Sequence, residues 1–201
     1  MPVQPTVFDA LSEQLGDKVF GVDLGYHTDG QYNFGFINTT VYGGTEADLE
    51  WRDVLPNDGF WSIHVEKIHV GGSNNWYKHA WPMVVDTGTT LLMLPRSLSK
   101  LYYDQVPSAK FDGQFGAWLF DCNASLPDLE WGFTNGWTHV IPGKLLEFQN
   151  VTATRCFGGI QNSIQGVDFG ILGDVWFKTM YVVFDIEKSR VGLAKKTVSL
   201  A

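Results

Sequence analysis

The residues with the clearest chemical promise lie in one run, Trp81-Pro82-Met83-Val84-Val85-Asp86-Thr87-Gly88-Thr89-Thr90-Leu91-Leu92-Met93-Leu94-Pro95. An apolar stretch delivers a single carboxylate, Asp86, into a loop of small and hydroxyl-bearing residues. Water is scarce in such a place, so an ionised Asp86 must take its hydrogen bonds from neighbouring donors. Gly88 lacks a side chain and lets its backbone N–H come close, while Thr87 and Thr89 set hydroxyls on either side. That pattern suits a buried carboxylate tuned for acid or base work. The tripeptide Asp-Thr-Gly also describes an ordinary Asp-capped turn, and the flanking elements decide between the two.

Those elements read as strands. Twenty-two glycines, 14% aromatic residues and short alternating stretches argue for a β-rich architecture. Val19 to Leu24 and Gln31 to Ile37 are predicted strands, with Asp29-Gly30 as the turn between them. Phe60 to Val70 alternates largely with period two and stops at Gly71-Gly72, which marks a hairpin. Two short helices are expected. One runs from Thr6 to Leu15, with Thr6 as N-cap and Val7, Phe8, Leu11 and Leu15 on one side, and the other from Ser97 to Gln105. No linker or repeat divides residues 1–201, which read as one domain.

Composition narrows the function. Fourteen Lys+Arg against 22 Asp+Glu give a net charge of −8, without a basic cluster to meet a phosphate backbone or an anionic membrane surface. Neither nucleic acid nor membrane is an expected partner. No apolar run approaches the roughly 20 residues of a spanning helix, and Met1-Pro2-Val3-Gln4-Pro5 does not read as a signal peptide. Two cysteines and five scattered histidines offer no metal-ligand spacing; His64 and Glu66 share a strand face that His69 does not. Serine-hydrolase and nucleotide-binding glycine motifs are missing as well.

Asn38-Thr39-Thr40, Asn123-Ala124-Ser125 and Asn150-Val151-Thr152 are N-glycosylation sequons, compatible with a secretory history. Such a history permits a Cys122–Cys156 disulfide, the alternative being two buried free thiols. The low Lys+Arg content also fits a protein working below neutrality, where fewer cations mean less self-repulsion.

Beyond Asp86-Thr87-Gly88-Thr89-Thr90, the segments Tyr32-Asn33-Phe34-Gly35-Phe36-Ile37, Gly59-Phe60-Trp61-Ser62, Phe120-Asp121-Cys122 and Cys156-Phe157-Gly158-Gly159-Ile160-Gln161 follow in a familiar order. Ile171-Leu172-Gly173-Asp174-Val175-Trp176-Phe177-Lys178, Tyr181-Val182-Val183-Phe184-Asp185 and Val191-Gly192-Leu193-Ala194 complete it. Over nearly its whole length the chain resembles the C-terminal lobe of the pepsin-like (family A1) fungal aspartic endopeptidases. The resemblance implies an all-β, mainly antiparallel fold with short helices, a single lobe of the pepsin-like acid protease β-barrel. It implies that Asp86 is one of two catalytic aspartates, with Thr87 making the contact between lobes and Gly88 and Thr89 holding the carboxylate. By the same resemblance Thr89 and Thr90 bond the backbone of a peptide substrate, Ile171 lines an apolar pocket, no metal or organic cofactor is needed, and the protein is secreted or vacuolar.

The sequence departs from that family in one respect that matters. A pepsin-like enzyme has two Asp-Thr/Ser-Gly motifs, and this chain has one. Asp174, Asp58-Gly59 and Asp112-Gly113 lack the pattern and read as cap or turn residues. Tyr42-Gly43-Gly44-Thr45 superficially suggests the substrate-covering flap but precedes Asp86, and reads as an ordinary hairpin turn. One carboxylate cannot be base and acid at once, so an isolated monomer is expected to be inactive. Three readings follow. The chain is half of a two-lobed protease that needs an N-terminal lobe, or a homodimer that sets two copies of Asp86 across a two-fold axis, or a scaffold turned to binding or other chemistry. In the third, some of the eight tryptophans could stack on carbohydrate or peptide, although Trp61, Trp81 and Trp176 read as core.

Overall fold

A computed structural model describes residues 6–56, 59–73, 75–164 and 166–198. Met1 to Pro5, on which the reading of the N-terminus rests, and Asp58 lie outside the described residues. The strands in chain order are β1 (Val19–Asp23), β2 (Gln31–Phe34), β3 (Glu50–Asp53), β4 (Ser62–Val70), β5 (Tyr77–Val85), β6 (Leu92–Leu94), β7 (Lys110–Asp112) and β8 (Ala117–Asp121). They continue as β9 (Leu129–Gly132), β10 (Thr138–Ile141), β11 (Glu147–Asn150), β12 (Arg155–Gly158), β13 (Ile160–Asn162), β14 (Gly170–Leu172), β15 (Met180–Asp185) and β16 (Arg190–Lys195). Three short helices, α1 (Val7–Leu11), α2 (Arg96–Tyr103) and α3 (Asp174–Phe177), complete the regular structure together with a few 3-10 turns.

The strands form three sheets, ordered β2-β1-β15-β16-β3, β10-β9-β4-β5-β14-β6-β13 and β11-β12-β8-β7. Pairing is antiparallel except where β14 meets β5 and β13 meets β6. The architecture is the all-β, mainly antiparallel, short-helix lobe that the sequence implies. Its core lies between the sheets, where Trp176, Tyr102, Phe120, Phe133 and Phe177 are fully buried. Trp176 is core as expected, while Trp61 and Trp81 are half-buried against that core.

Most expected elements form, with shorter bounds. The first helix stops at Leu11, where the N–H of Gln14 turns to the Leu11 carbonyl and tightens the chain into a 3-10 turn. Val7 is 75% exposed rather than core-facing, while the Phe8 ring packs 5.5 Å from Phe20. Helix α2 buries Leu98, Tyr102 and Tyr103 on one stripe, as its apolar spacing requires. Strand β2 ends at Phe34 because Gly35 takes φ +80°, which breaks an extended strand.

Two turns differ from expectation. Residues 24–30 form one long connection between β1 and β2, and its left-handed residue is His27 rather than Gly30. Gly30 is needed because a Cβ there would lie 2.5 Å from the Asp23 carbonyl oxygen. The Tyr42 to Thr45 segment is no hairpin turn: it joins two 3-10 turns on the way from β2 to β3, which sit at opposite edges of their sheet. By contrast, Gly71-Gly72 does lie in the connection of the β4/β5 hairpin, with Gly72 at φ +86°. Asp112 is a turn residue as read, accepting the N–H groups of Gln114 and Phe115.

The disulfide is formed. Cys122 and Cys156 are joined across 34 residues, with their Cα atoms 4.9 Å apart, and tie the turn after β8 to β12.

Candidate active site

Strand β5 carries the chain to Asp86 along a buried track of Met83, Val84 and Val85. The next residues must cross to β6, but β14 lies between β5 and β6, so the connecting loop arches over the end of β14. Backbone bonds pin it there. The Asp86 N–H reaches the Leu172 carbonyl at 3.1 Å, and the Thr89 and Thr90 carbonyls accept the N–H groups of Asp174 and Val175 at 2.8 and 3.0 Å. Gly173 makes the crossing possible, because a Cβ at that position would collide with the carbonyl oxygens of Thr89 and Leu91.

The loop cradles the half-buried Asp86 carboxylate. The Gly88 N–H donates to Oδ1 at 2.8 Å and the Thr89 hydroxyl donates to Oδ2 at 2.7 Å, so each oxygen has one donor among the described residues. Thr87 does not join them. Its hydroxyl makes no hydrogen bond within the described residues, which corrects the expectation that hydroxyls would flank the carboxylate on both sides. Thr90 is exposed, and Ile171 is half-buried on β14 beside the Leu172 carbonyl that receives the Asp86 N–H.

Two features escaped the sequence reading. Asp174, read as a cap or turn residue, opens α3 directly beneath the Asp86 loop. Burial raises its carboxyl above the ordinary aspartate range, Lys178 opposes the shift, and the neighbouring Asp86 charge adds to it. Its buried Oδ1 has no hydrogen-bond partner among the described residues. The second feature is an aromatic shoulder. The Val85 N–H bonds the Trp61 carbonyl, which ties the residue before Asp86 to the residue after Phe60. The Phe60 ring is 54% exposed and lies 6.1 Å from Phe169. The apolar residue at 60 was visible in sequence; only the strand register relates it to the carboxylate.

The chain matches the family model described as eukaryotic aspartyl protease over residues 2–196. It belongs to the eukaryotic aspartyl protease family. Among curated relatives, Penicillopepsin-1 of Talaromyces stipitatus is 40% identical over 192 residues, which cover 95% of this chain and 47% of that protein. Aspergillopepsin-1 of Emericella nidulans is 39% identical over 196 residues, 95% of this chain and 46% of that protein. Penicillopepsin-1 of Penicillium janthinellum is 36% identical over 192 residues, 95% of this chain and 57% of that protein. The chain thus spans about half the length of the curated relatives it matches. Its one Asp-Thr-Gly motif is the one that holds the cradled Asp86. Among the described residues no three His, Cys, Asp or Glu side chains gather as a metal site, and no helix is long and apolar enough to cross a membrane.

Proposed function

We propose that the chain is the C-terminal half of a two-lobed aspartic endopeptidase and that Asp86 is one of its two catalytic aspartates. The observation that carries this reading is the two-donor cradle of Asp86 on a loop arched across β14. A carboxylate so held keeps one orientation, which acid–base chemistry on a bound peptide needs. Its partner carboxylate comes from an N-terminal lobe, since residues 1–201 hold a single Asp-Thr/Ser-Gly motif. Two carboxylates a few ångströms apart cannot both ionise, so they share a proton and titrate as a pair. The ionised member takes a proton from water, the water attacks the scissile carbonyl, and the protonated member donates to the oxygen that becomes negative.

In this reading Thr87, whose hydroxyl makes no hydrogen bond among the described residues, reaches the other lobe. Thr89 and Thr90 meet the substrate backbone, Ile171 lines an apolar pocket, and the protein is exported to act in an acidic medium. The surface supports a missing partner. Strand β2 is an outer strand of its sheet, and Tyr32, Phe34 and the nearby Phe36 are between 41 and 51% exposed. Exposed aromatics grouped in this way mark an interaction face, so the lone chain should self-associate.

The deciding experiment mixes the purified chain at about pH 3–5 with a denatured protein substrate, with and without a separately produced N-terminal lobe, while light scattering reports mass. Cleavage that needs the added lobe and disappears in Asp86→Asn supports the proposal. Cleavage by a dimer of the chain alone, lost in Asp86→Asn, replaces it with the two-fold homodimer. Cleavage indifferent to Asp86→Asn removes Asp86 from the chemistry altogether.

A further inference from the structure

The three sequons take no part in peptide cleavage, and the fold treats them differently. Asn38 is half-buried and caps the 3-10 turn Thr39–Val41. Its Oδ1 accepts both the N–H and the hydroxyl of Thr40, at 3.3 and 2.6 Å, so the hydroxyl of its own sequon is already spent on it. Its backbone N–H is held at 3.0 Å by the hydroxyl of Tyr181. Asn38 also closely follows the exposed aromatics of β2, where a hydrated oligosaccharide would stand in the way of a docking lobe.

Asn123 and Asn150 sit elsewhere, both exposed and both beside the disulfide. Asn123 directly follows Cys122 in the turn closed by the Ala124 N–H on the Asp121 carbonyl at 2.8 Å. The Asn150 Oδ1 lies 3.4 Å from Cys156 Sγ. In its sequon the Thr152 hydroxyl oxygen only accepts, from the N–H groups of Thr154 and Arg155, and so keeps its proton for another acceptor. Beside Asn123 opens a pocket of about 540 Å³ lined by Asp121, Cys122, Asn123, Ala153 and Thr154, the last two directly following the Asn150 sequon. Cys156 has no exposed surface and Cys122 is only half-buried, so this pocket is the way by which a reductant reaches the disulfide.

We propose that Asn123 and Asn150 are N-glycosylated on export, that Asn38 stays bare, and that the two glycans shield the Cys122–Cys156 disulfide. The inference rests on passage through the secretory route and not on the chemistry of Asp86. In each transfer the asparagine Nδ2 bonds C1 of N-acetylglucosamine from a lipid-diphosphate-linked oligosaccharide. The bond from C1 to the diphosphate oxygen breaks, the lipid diphosphate leaves with that electron pair, and the amide loses one proton. No oxidation or reduction accompanies the step.

The full chain is secreted from a yeast behind a cleavable leader, then treated with peptide-N-glycosidase in heavy-oxygen water and mapped by peptide mass spectrometry. The expected result is isotope-tagged aspartate at positions 123 and 150 and unmodified asparagine at 38. Asn123→Gln and Asn150→Gln each remove one glycan from the intact mass, and Asn38→Gln removes none. A tag at 38, or secreted protein untagged at 123 or 150, overturns the assignment. Thiol trapping under dithiothreitol then compares glycosylated protein with the Asn123→Gln/Asn150→Gln variant. Faster reduction of the bare protein is expected, and equal rates dispose of the shield.

Discussion

The Thr89 hydroxyl donates to Asp86 Oδ2 across 2.7 Å while the Thr89 carbonyl receives the N–H of Asp174 at 2.8 Å, so one residue both orients the carboxylate and ties its loop to α3. Thr89→Val keeps the branched shape and the backbone bond but deletes the donor. Losing one hydrogen bond at this half-buried site costs about 1 kcal/mol of stability, read from the urea midpoint. A carboxylate free to rotate loses far more in rate. In the two-lobed enzyme kcat/KM falls on the order of 10²-fold, and Thr89→Ser recovers most of it. An unchanged kcat/KM in Thr89→Val would separate the cradle from the chemistry.

Asp174 should make stability depend on pH. Its folded pKa lies above the ordinary 3.8, chiefly through burial, so between those two values the folded state holds a proton that the unfolded chain has released. The group therefore costs nothing below about pH 3.8, where both states are protonated, and weakens the fold as pH rises through the raised folded value. Asp174→Asn removes that loss. Calorimetry at pH 3 and pH 7 should find the variant melting above the parent at pH 7 and the gap narrowing toward pH 3; a gap that widens in acid contradicts the assignment.

The contrast between Asp86 and Asp174 shows what the sequence can convey. The partners of Asp86 stand two and three residues away, so the cradle is written locally in Asp86-Thr87-Gly88-Thr89. Asp174 approaches the same loop only because β14 inserts between β5 and β6, a pairing of segments remote along the chain. The same distinction divides the strands. Strand β4 alternates on either side of a register shift between Val65 and Lys67 and is readable, whereas β13 and β14 have three residues each, too few for a period, and exist through pairing with Leu92–Leu94 and Met83–Val85. The Tyr42 to Thr45 segment misleads for a related reason, since a turn composition does not say whether the flanking strands are neighbours.

His139 should limit the fold in acid. It is 7% exposed, faces Trp131 across the β9/β10 pair, and leaves its Nε2 without a hydrogen-bond partner among the described residues. Burial, helped by the positive charge of Lys195, lowers its pKa from 6.5 to about 3. Here the unfolded chain binds the extra proton, so stability falls as pH drops through the window from 6.5 toward 3. The shift corresponds to a loss of about 5 kcal/mol at most across that window. His139→Phe keeps an aromatic ring against Trp131 and Trp137 and abolishes the titration. Urea unfolding at pH 7 and pH 4 should give the variant a shallower decline than the parent; parallel declines would mean that His139 is protonated within the fold.

The sharpest structural demand on the Asp86 loop falls on Gly173. Its φ is −91°, a value open to any residue, so the requirement is for space and not for conformation. The atoms in the way of a Cβ are the backbone carbonyl oxygens of Thr89 and Leu91, which cannot swing aside as a side-chain tip would. Gly173→Ala must therefore push the Asp86 loop off β14 or displace α3, breaking the bonds from Asp174 to Thr89 and from Val175 to Thr90. Overpacking of this kind costs about 1–3 kcal/mol. It should also lower kcat/KM more than the stability loss alone predicts, because the loop that moves carries the Asp86 cradle. Hydrogen exchange of the Val175 amide reports the displacement directly: faster exchange in Gly173→Ala than in the parent, at matched global stability, is the expected outcome, and equal exchange would show that the loop tolerates the methyl group.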